Sequence, residues 1–177
     1  MMKRLAAIFL LVLGTACSVA TEQDPGAVST LKADLDAVVE VGQVRPVNGV
    51  TTAGQPNAEA FKVFADAGYV AVIDIRTVGE DRGLDEPTVV QGLGMDYVQM
   101  PIGGDDITFE KAEKLQQLID MYDEPVLVHC GSANRVGALF ALSKYRETGD
   151  LDKALEAGQE AGLTRLEGAV VEAINAE

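Results

Sequence analysis

Seven consecutive residues, Tyr69-Val70-Ala71-Val72-Ile73-Asp74-Ile75, are apolar at every position but one and rich in β-branched side chains. A strand with one wet face alternates apolar with polar residues. A run without alternation therefore belongs in a sheet covered on both faces. Pro125-Val126-Leu127-Val128-His129 repeats the pattern, and Tyr97-Val98-Gln99-Met100 is a third extended segment. Val41 to Val50 reads as an extended segment or hairpin around Pro46 and the Asn48-Gly49 turn signal.

Helical periodicity fills the intervals. Asn57 can cap a helix whose Ala60, Phe61, Phe64 and Ala67 share a face, closed by Gly68. Glu86-Pro87 opens a second toward Gly92 or Gly94, and Thr108 caps a third running to about Tyr122. Asn134 to Glu147 is a fourth, with Val136, Leu139, Phe140 and Leu142 apolar. Asp150 and Thr164 start two more, the latter through a Thr164-x-x-Glu167 capping box. Strands alternating with helices predict one α/β domain over residues 41–177, with a mainly parallel central sheet flanked by helices.

The chain's 177 residues suit one domain rather than two. Its net charge of −14 argues against nucleic acid as a partner, since phosphate neutralisation needs a basic face. With one His and two Cys, no metal site is expected, and no cofactor is called for. Residues 1–20 have the order of a secretory signal peptide: basic Lys3-Arg4, apolar Leu5 to Leu13, then small residues. Cleavage after Ala20 is one reading. The other is lipidation at Cys17, with Gly14 standing where a lipobox has Leu, and a Cys at that place in so cysteine-poor a chain favours it. The expectation is an exported bacterial protein, periplasmic or tethered to the outer membrane through that lipid alone. Residues 21–40 then form a tether in which a short helix can start at Ser29, and losing Lys3 and Arg4 leaves 12 basic against 28 acidic residues.

After either cut Cys130 is the remaining thiol. It sits in His129-Cys130-Gly131-Ser132-Ala133-Asn134-Arg135, where a buried strand passes through a small-residue loop into a helix. Ligands of parallel sheets bind beyond the carboxyl ends of strands, and a helix N-terminus favours an anion. The same field, with Arg135, favours Cys130 as thiolate. Nucleophile and anion cradle together suit covalent group transfer. Gly131, Ser132, Ala133 and Asn134 would form the cradle, and His129 would orient the loop through hydrogen bonds.

These residues resemble the protein tyrosine and dual-specificity phosphatase superfamily, whose signature is H-C-x5-R. More closely, the ordered set Gly54-Gln55-Pro56, Ile73-Asp74-Ile75-Arg76, Pro101-Ile102 and His129-Cys130 resembles the bacterial beta-lactamase hydrolase-like phosphatase domains. The resemblance runs from about Val41 to Tyr145. It implies a phosphoenzyme on Cys130, with the loop amides and Arg135 on the phosphoryl oxygens. The acid for the leaving oxygen would be Asp105 or Asp106, and Arg76 would border the pocket or pair with Glu80.

The loop is C-x4-R, one residue shorter than the superfamily signature, and Val136 replaces the Ser or Thr after the Arg. A loop of this length resembles that of rhodaneses, which carry sulfur as a cysteine persulfide. Sulfur transfer and a non-catalytic anion- or protein-binding lipoprotein are therefore the alternatives. The acidic surface repels polyanions, so the expected substrate is a small phosphoester, a phosphoprotein or a sulfur donor.

Overall fold

The computed structural model describes residues 31–177. The signal segment, Cys17 and residues 21–30 lie outside the described residues. In chain order the elements are α1 (Leu35–Val41), β1 (Val50–Ala53), α2 (Ala58–Asp66), β2 (Ala71–Asp74), α3 (Glu86–Gly92), β3 (Asp96–Gln99), α4 (Phe109–Ile119), β4 (Val126–His129), α5 (Asn134–Thr148), α6 (Leu151–Glu160) and α7 (Glu167–Asn175).

The four strands form one sheet in the order β1-β4-β2-β3, and every pairing is parallel. Side chains alternate between its faces. Ala71, Ile73, Val126 and Val128 join a core made with Leu115 of α4, Leu139 of α5 and Val170 of α7. Val72 and Leu127 join the opposite core, made with Val38 of α1, Phe61 and Phe64 of α2, and Val90 of α3. This is the single α/β domain that the non-alternating strands demand.

Three elements depart from the sequence reading. Part of the expected tether is folded. Ala33 N–H donates to the Thr52 carbonyl at 2.8 Å, and the Thr52 N–H to the Leu31 carbonyl at 2.6 Å. Asp34 caps α1, and Val38 is fully buried. The short helix allowed for in this segment thus begins at Leu35, and only one of its residues enters the core completely.

The first strand begins where the expected extended segment ends. Asn48 and Gly49 both have positive φ, 49° and 76°, the requirement of a tight primed turn, and β1 follows it. Thr51 and Thr52 are polar residues inside this strand, yet both are buried. The Thr51 hydroxyl meets the Tyr69 hydroxyl at 2.5 Å, and that of Thr52 donates to the carbonyls of Ala161 at 2.9 Å and Leu31 at 3.1 Å.

The capping box at Thr164 is not formed. Its N–H and hydroxyl both donate to Asn134 Oδ1, and α7 starts three residues later, at Glu167. A tertiary acceptor took the donors that a local cap would have used.

Candidate active site

Because all four strands run parallel, their carboxyl ends open on one side and four loops converge there. They are Gly54-Gln55 after β1, the segment 75–82 after β2, residues 100–106 after β3, and Cys130 to Ala133 after β4. β4 lies inside the sheet between β1 and β2. Its alternation sends His129 and Cys130 to opposite sides, Cys130 joining the core of α4, α5 and α7.

The Cys130 loop is fixed from its β1 side. Cys130 N–H donates to the Ala53 carbonyl and Gln55 N–H to the Gly131 carbonyl, both at 3.3 Å. Gly54 pairs with Ser132, and a Cβ on Gly54 would stand 3.3 Å from the Gly131 oxygen. A side chain at position 54 would need the Gly131 carbonyl to give way by a few tenths of an ångström. Ala133 turns the chain into α5 with φ 62°, a left-handed conformation that costs a non-glycine residue about 1 kcal/mol. Among the described residues the N–H groups of Gly131 and Ser132 donate to no carbonyl or side chain. They lie just ahead of the N-terminus of α5, a setting in which successive amides can make an anion-binding concavity.

Arg135, in the first turn of α5, is gripped end-on by Glu80. Nη1 donates to Oε1 and Nη2 to Oε2, each at 2.6 Å, and Nη1 also donates to the Ile102 carbonyl at 2.8 Å. A guanidinium has five N–H donors, so these bonds leave Nε–H and one hydrogen on Nη2, a parallel pair along one edge. Glu80 is itself held by Thr77, whose N–H and hydroxyl donate to Oε1 at 2.8 and 3.0 Å. The Arg135 bonds, more than anything else, hold the Glu80 carboxyl far below the usual carboxylate range. In turn Glu80 raises the pKa of Arg135, against the effect of burial and with the Cys130 sulfur adding to it.

Under the loop lies a buried polar network. His129 Nε2 is 2.7 Å from Glu86 Oε1, and Nδ1 is 3.4 Å from the Cys130 carbonyl oxygen. Glu86 Oε2 accepts from Gln55 Nε2 at 2.7 Å. Gln55 Oε1 accepts from Arg76 Nη1, and Arg76 Nε donates to Glu80 Oε2 at 3.3 Å. Asp74 accepts from Arg82 at 2.6 Å and from the Tyr97 hydroxyl at 2.8 Å. Burial, then this bond to Asp74, pushes the Tyr97 pKa well up. Asp74, Glu86 and His129 bring ligand-type atoms within 4.8 Å of one another. The donor types suit a metal, but Arg82 on Asp74 and the Gln55 amide on Glu86 already complete the carboxylates, as in a buried ion-pair network.

Cys130, Gly131, Ser132, Ala133 and Arg135 thus come together as one cradle. Asn134 does not contribute its side chain: Oδ1 accepts from Thr164 N–H at 2.8 Å, its hydroxyl at 3.1 Å and Arg165 N–H at 2.9 Å. It ties the α6–α7 connection to α5. Arg76 is also withdrawn, buried and committed to Gln55, Glu80 and the Asp81 carbonyl. Its pairing with Glu80 is the arrangement present, and a pocket-lining role is not. Asp105 and Asp106 are exposed, three and four residues past the Ile102 carbonyl that Arg135 holds. Asp106 Oδ2 accepts from Gly103 N–H at 3.2 Å and closes the turn, whereas Asp105 makes no such bond among the described residues.

Glu86, Gln55 and the grip of Glu80 on Arg135 were not foreseen. Glu86 looked like a first-turn residue beside Pro87, and nothing in its neighbours marks it as buried. Gln55 did carry a signal, because it lies in the Gly-Gln-Pro element on which the resemblance rests.

Residues 46–146 match the family described as "Beta-lactamase hydrolase-like protein, phosphatase-like domain". A Xylella fastidiosa beta-lactamase hydrolase-like protein is 37% identical over 95 residues, 51% of this chain and 22% of that protein. The chain thus spans about a fifth of that curated relative's length. Among solved structures, a Neisseria meningitidis protein superimposes with a TM-score of 0.62 at 22% identity, covering 72% of this chain and 93% of its own. P. aeruginosa TpbA in complex with pTyr gives a TM-score of 0.53 at 16% identity, covering 71% of this chain and 86% of its own.

Proposed function

The chain belongs to the family of beta-lactamase hydrolase-like phosphatase-like domains, and on that premise we propose that it hydrolyses phosphate monoesters through a phosphocysteine at Cys130. The observation that carries this reading is the donor set beside the thiol: the amides of Gly131 and Ser132 and one edge of Arg135. Two parallel N–H groups suit two phosphoryl oxygens, and the amides suit the remainder.

The reaction takes two displacements. The Cys130 thiolate attacks phosphorus, the P–O ester bond breaks, and the leaving oxygen takes a proton from the Asp105 carboxylic acid. Water then attacks phosphorus and gives its proton to the Asp105 carboxylate. The P–S bond breaks, the thiolate returns and inorganic phosphate leaves. Asp105 is preferred to Asp106 because Asp106 is bonded into the turn. Glu80 is not the acid, since the arginine beside it keeps it ionised. It is a positioning residue that acts through Arg135. For location, the basic start and apolar run of the leader support export, with Cys17 as the point of lipid attachment.

The test compares residues 21–177 with their Cys130→Ser variant on an aryl phosphate and, in parallel, on thiosulfate plus cyanide. Phosphate release that vanishes in the variant is the expected result. Thiocyanate without phosphate would transfer the site to sulfur chemistry, which the short loop also suits.

A further inference from the structure

A groove of about 600 Å³ opens between the Asp105 loop, the start of α4 and one side of α7. Its floor is apolar: Ile107 and Phe109 on one wall, and Ala169, Ala173 and Ala176 along α7 on the other. Those alanines recur at helical spacing, and their small side chains leave the trough open. Its charged lining is wholly acidic, from Asp105, Glu110, Glu172 and Glu177. Glu177 already pairs with Arg146 at 3.4 Å. Asp105, Glu110 and Glu172 have no ion pair among the described residues.

The groove and the cradle share the loop after β3. Asp105 lines it, and three residues earlier Ile102 accepts the Arg135 hydrogen bond. From Ala169 to Ala176 the α7 wall runs about 10 Å at a helical rise of roughly 1.5 Å per residue. That length takes about three extended peptide residues, more than a small leaving group fills. The α4 N-terminus contributes only a partial positive charge of about +0.5, against the unpaired carboxylates of Glu110 and Glu172, with Asp105 kept for the proton transfer. α7 also lies outside the family-matched segment, so this wall is not part of what that match describes.

We propose that this groove holds the peptide flanking the phosphorylated residue of the substrate, and that it selects segments carrying Lys or Arg beside small apolar residues. The inference rests on the phosphatase reading and adds the substrate class: a phosphopeptide with basic flanks. The anionic phosphoryl group goes to Arg135 and the loop amides, while the cationic flank goes to the carboxylate rim. Opposite charges on the two parts of one substrate match opposite fields a few residues apart in the protein.

The experiment measures kcat/KM for matched phosphotyrosine peptides with two Lys or two Glu flanking the phosphoresidue, with an aryl phosphate alongside. The basic peptide is expected to be preferred about tenfold at low salt, the preference shrinking as ionic strength rises. In the Glu110→Lys/Glu172→Lys variant the ratio should fall to near one. In Glu156→Lys, a charge change on α6 away from the groove, the ratio should hold. A ratio of one in the parent chain, or a preference that survives the double variant, overturns the inference while aryl phosphate turnover leaves the reaction standing. If no phosphate is released from anything, fluorescence anisotropy of the same labelled peptides on Cys130→Ser decides. Tighter binding of the basic peptide that the double variant abolishes supports the groove, and equal binding overturns it.

Discussion

Glu80 holds Arg135 through two parallel hydrogen bonds of 2.6 Å, and in doing so decides which edge of the guanidinium stays free. The carboxylate comes from the loop after β2 and the arginine from the first turn of α5. Their meeting depends on β2 and β4 being neighbours in the sheet.

Glu80→Gln keeps the shape of this contact but gives up the charge and one acceptor. The arginine edge is then less well aimed. With charge-assisted bonds contributing about 1.5–3 kcal/mol, kcat should fall roughly 10- to 100-fold with a smaller change in KM. Steady-state kinetics on an aryl phosphate, with melting curves to verify folding, separates this from simple destabilisation. An unchanged kcat removes Glu80 from the machinery.

The same pair predicts an acid limb in stability. Glu80 titrates below its ordinary range in the folded chain, because of Arg135. Below about pH 4.3 the unfolded chain takes up a proton that the folded one refuses. Stability present above that pH is therefore lost as pH falls further. Thermal melts between pH 6 and pH 3 should show a shallower decline in Glu80→Gln than in the parent.

Asp105 and Asp106 separate by pH profile. Asp105→Asn should lower kcat about 10²-fold or more near neutrality and flatten the basic limb of the profile, where the acid loses its proton. Asp106→Asn perturbs only the Gly103 turn and should keep the limb. The opposite outcome exchanges their roles.

Gly137 in α5 has no room for a side chain. A Cβ there would stand 2.1 Å from the Leu163 nitrogen and 2.6 Å from the Gly158 carbonyl oxygen, both backbone atoms. Gly137→Ala forces α5 and α6 apart at a cost of about 3 kcal/mol. The melting temperature should fall by roughly 10 °C.

At the alkaline end, burial pushes the Tyr69 pKa up to about 12, against an ordinary value near 10. Above pH 10 the unfolded chain releases this proton while the folded chain keeps it. Stability complete below pH 10 is lost as pH rises toward the folded value. Tyr69→Phe removes that slope, but strands the buried Thr51 hydroxyl at about 1–3 kcal/mol. Melts at pH 9 and 11 check both effects.

Much of the fold was legible because its signals are local. The caps at Asn57, Thr108 and Asp150 act on amides two or three residues away, and each stands where its helix begins. The β2 and β4 segments were visible because burial on both faces removes polar residues from consecutive positions. Polar residues with distant partners were less legible: Thr164 reads as a local cap, but both its donors go to Asn134 Oδ1 across 30 residues.

The composition of the proposed cradle could likewise be read in sequence, since thiol, small-residue loop and arginine lie within six consecutive positions, Cys130 to Arg135. Its support could not. Glu80 meets Arg135 across 55 residues and Glu86 meets His129 across 43. No local periodicity records such a pairing.

By itself, the sequence determined a parallel α/β domain, a thiol at the end of a buried strand, and an anion-favouring loop leading into a helix. Each follows from the hydrogen bonding and burial of neighbouring residues. Only the tertiary structure decided that Glu80 turns Arg135, that Asn134 and Arg76 serve the scaffold, and that an acidic groove shares the loop after β3 with the cradle. Those outcomes depend on which charged groups the strand order brings together, and a charge's partner in space is fixed by packing rather than by its place in the chain.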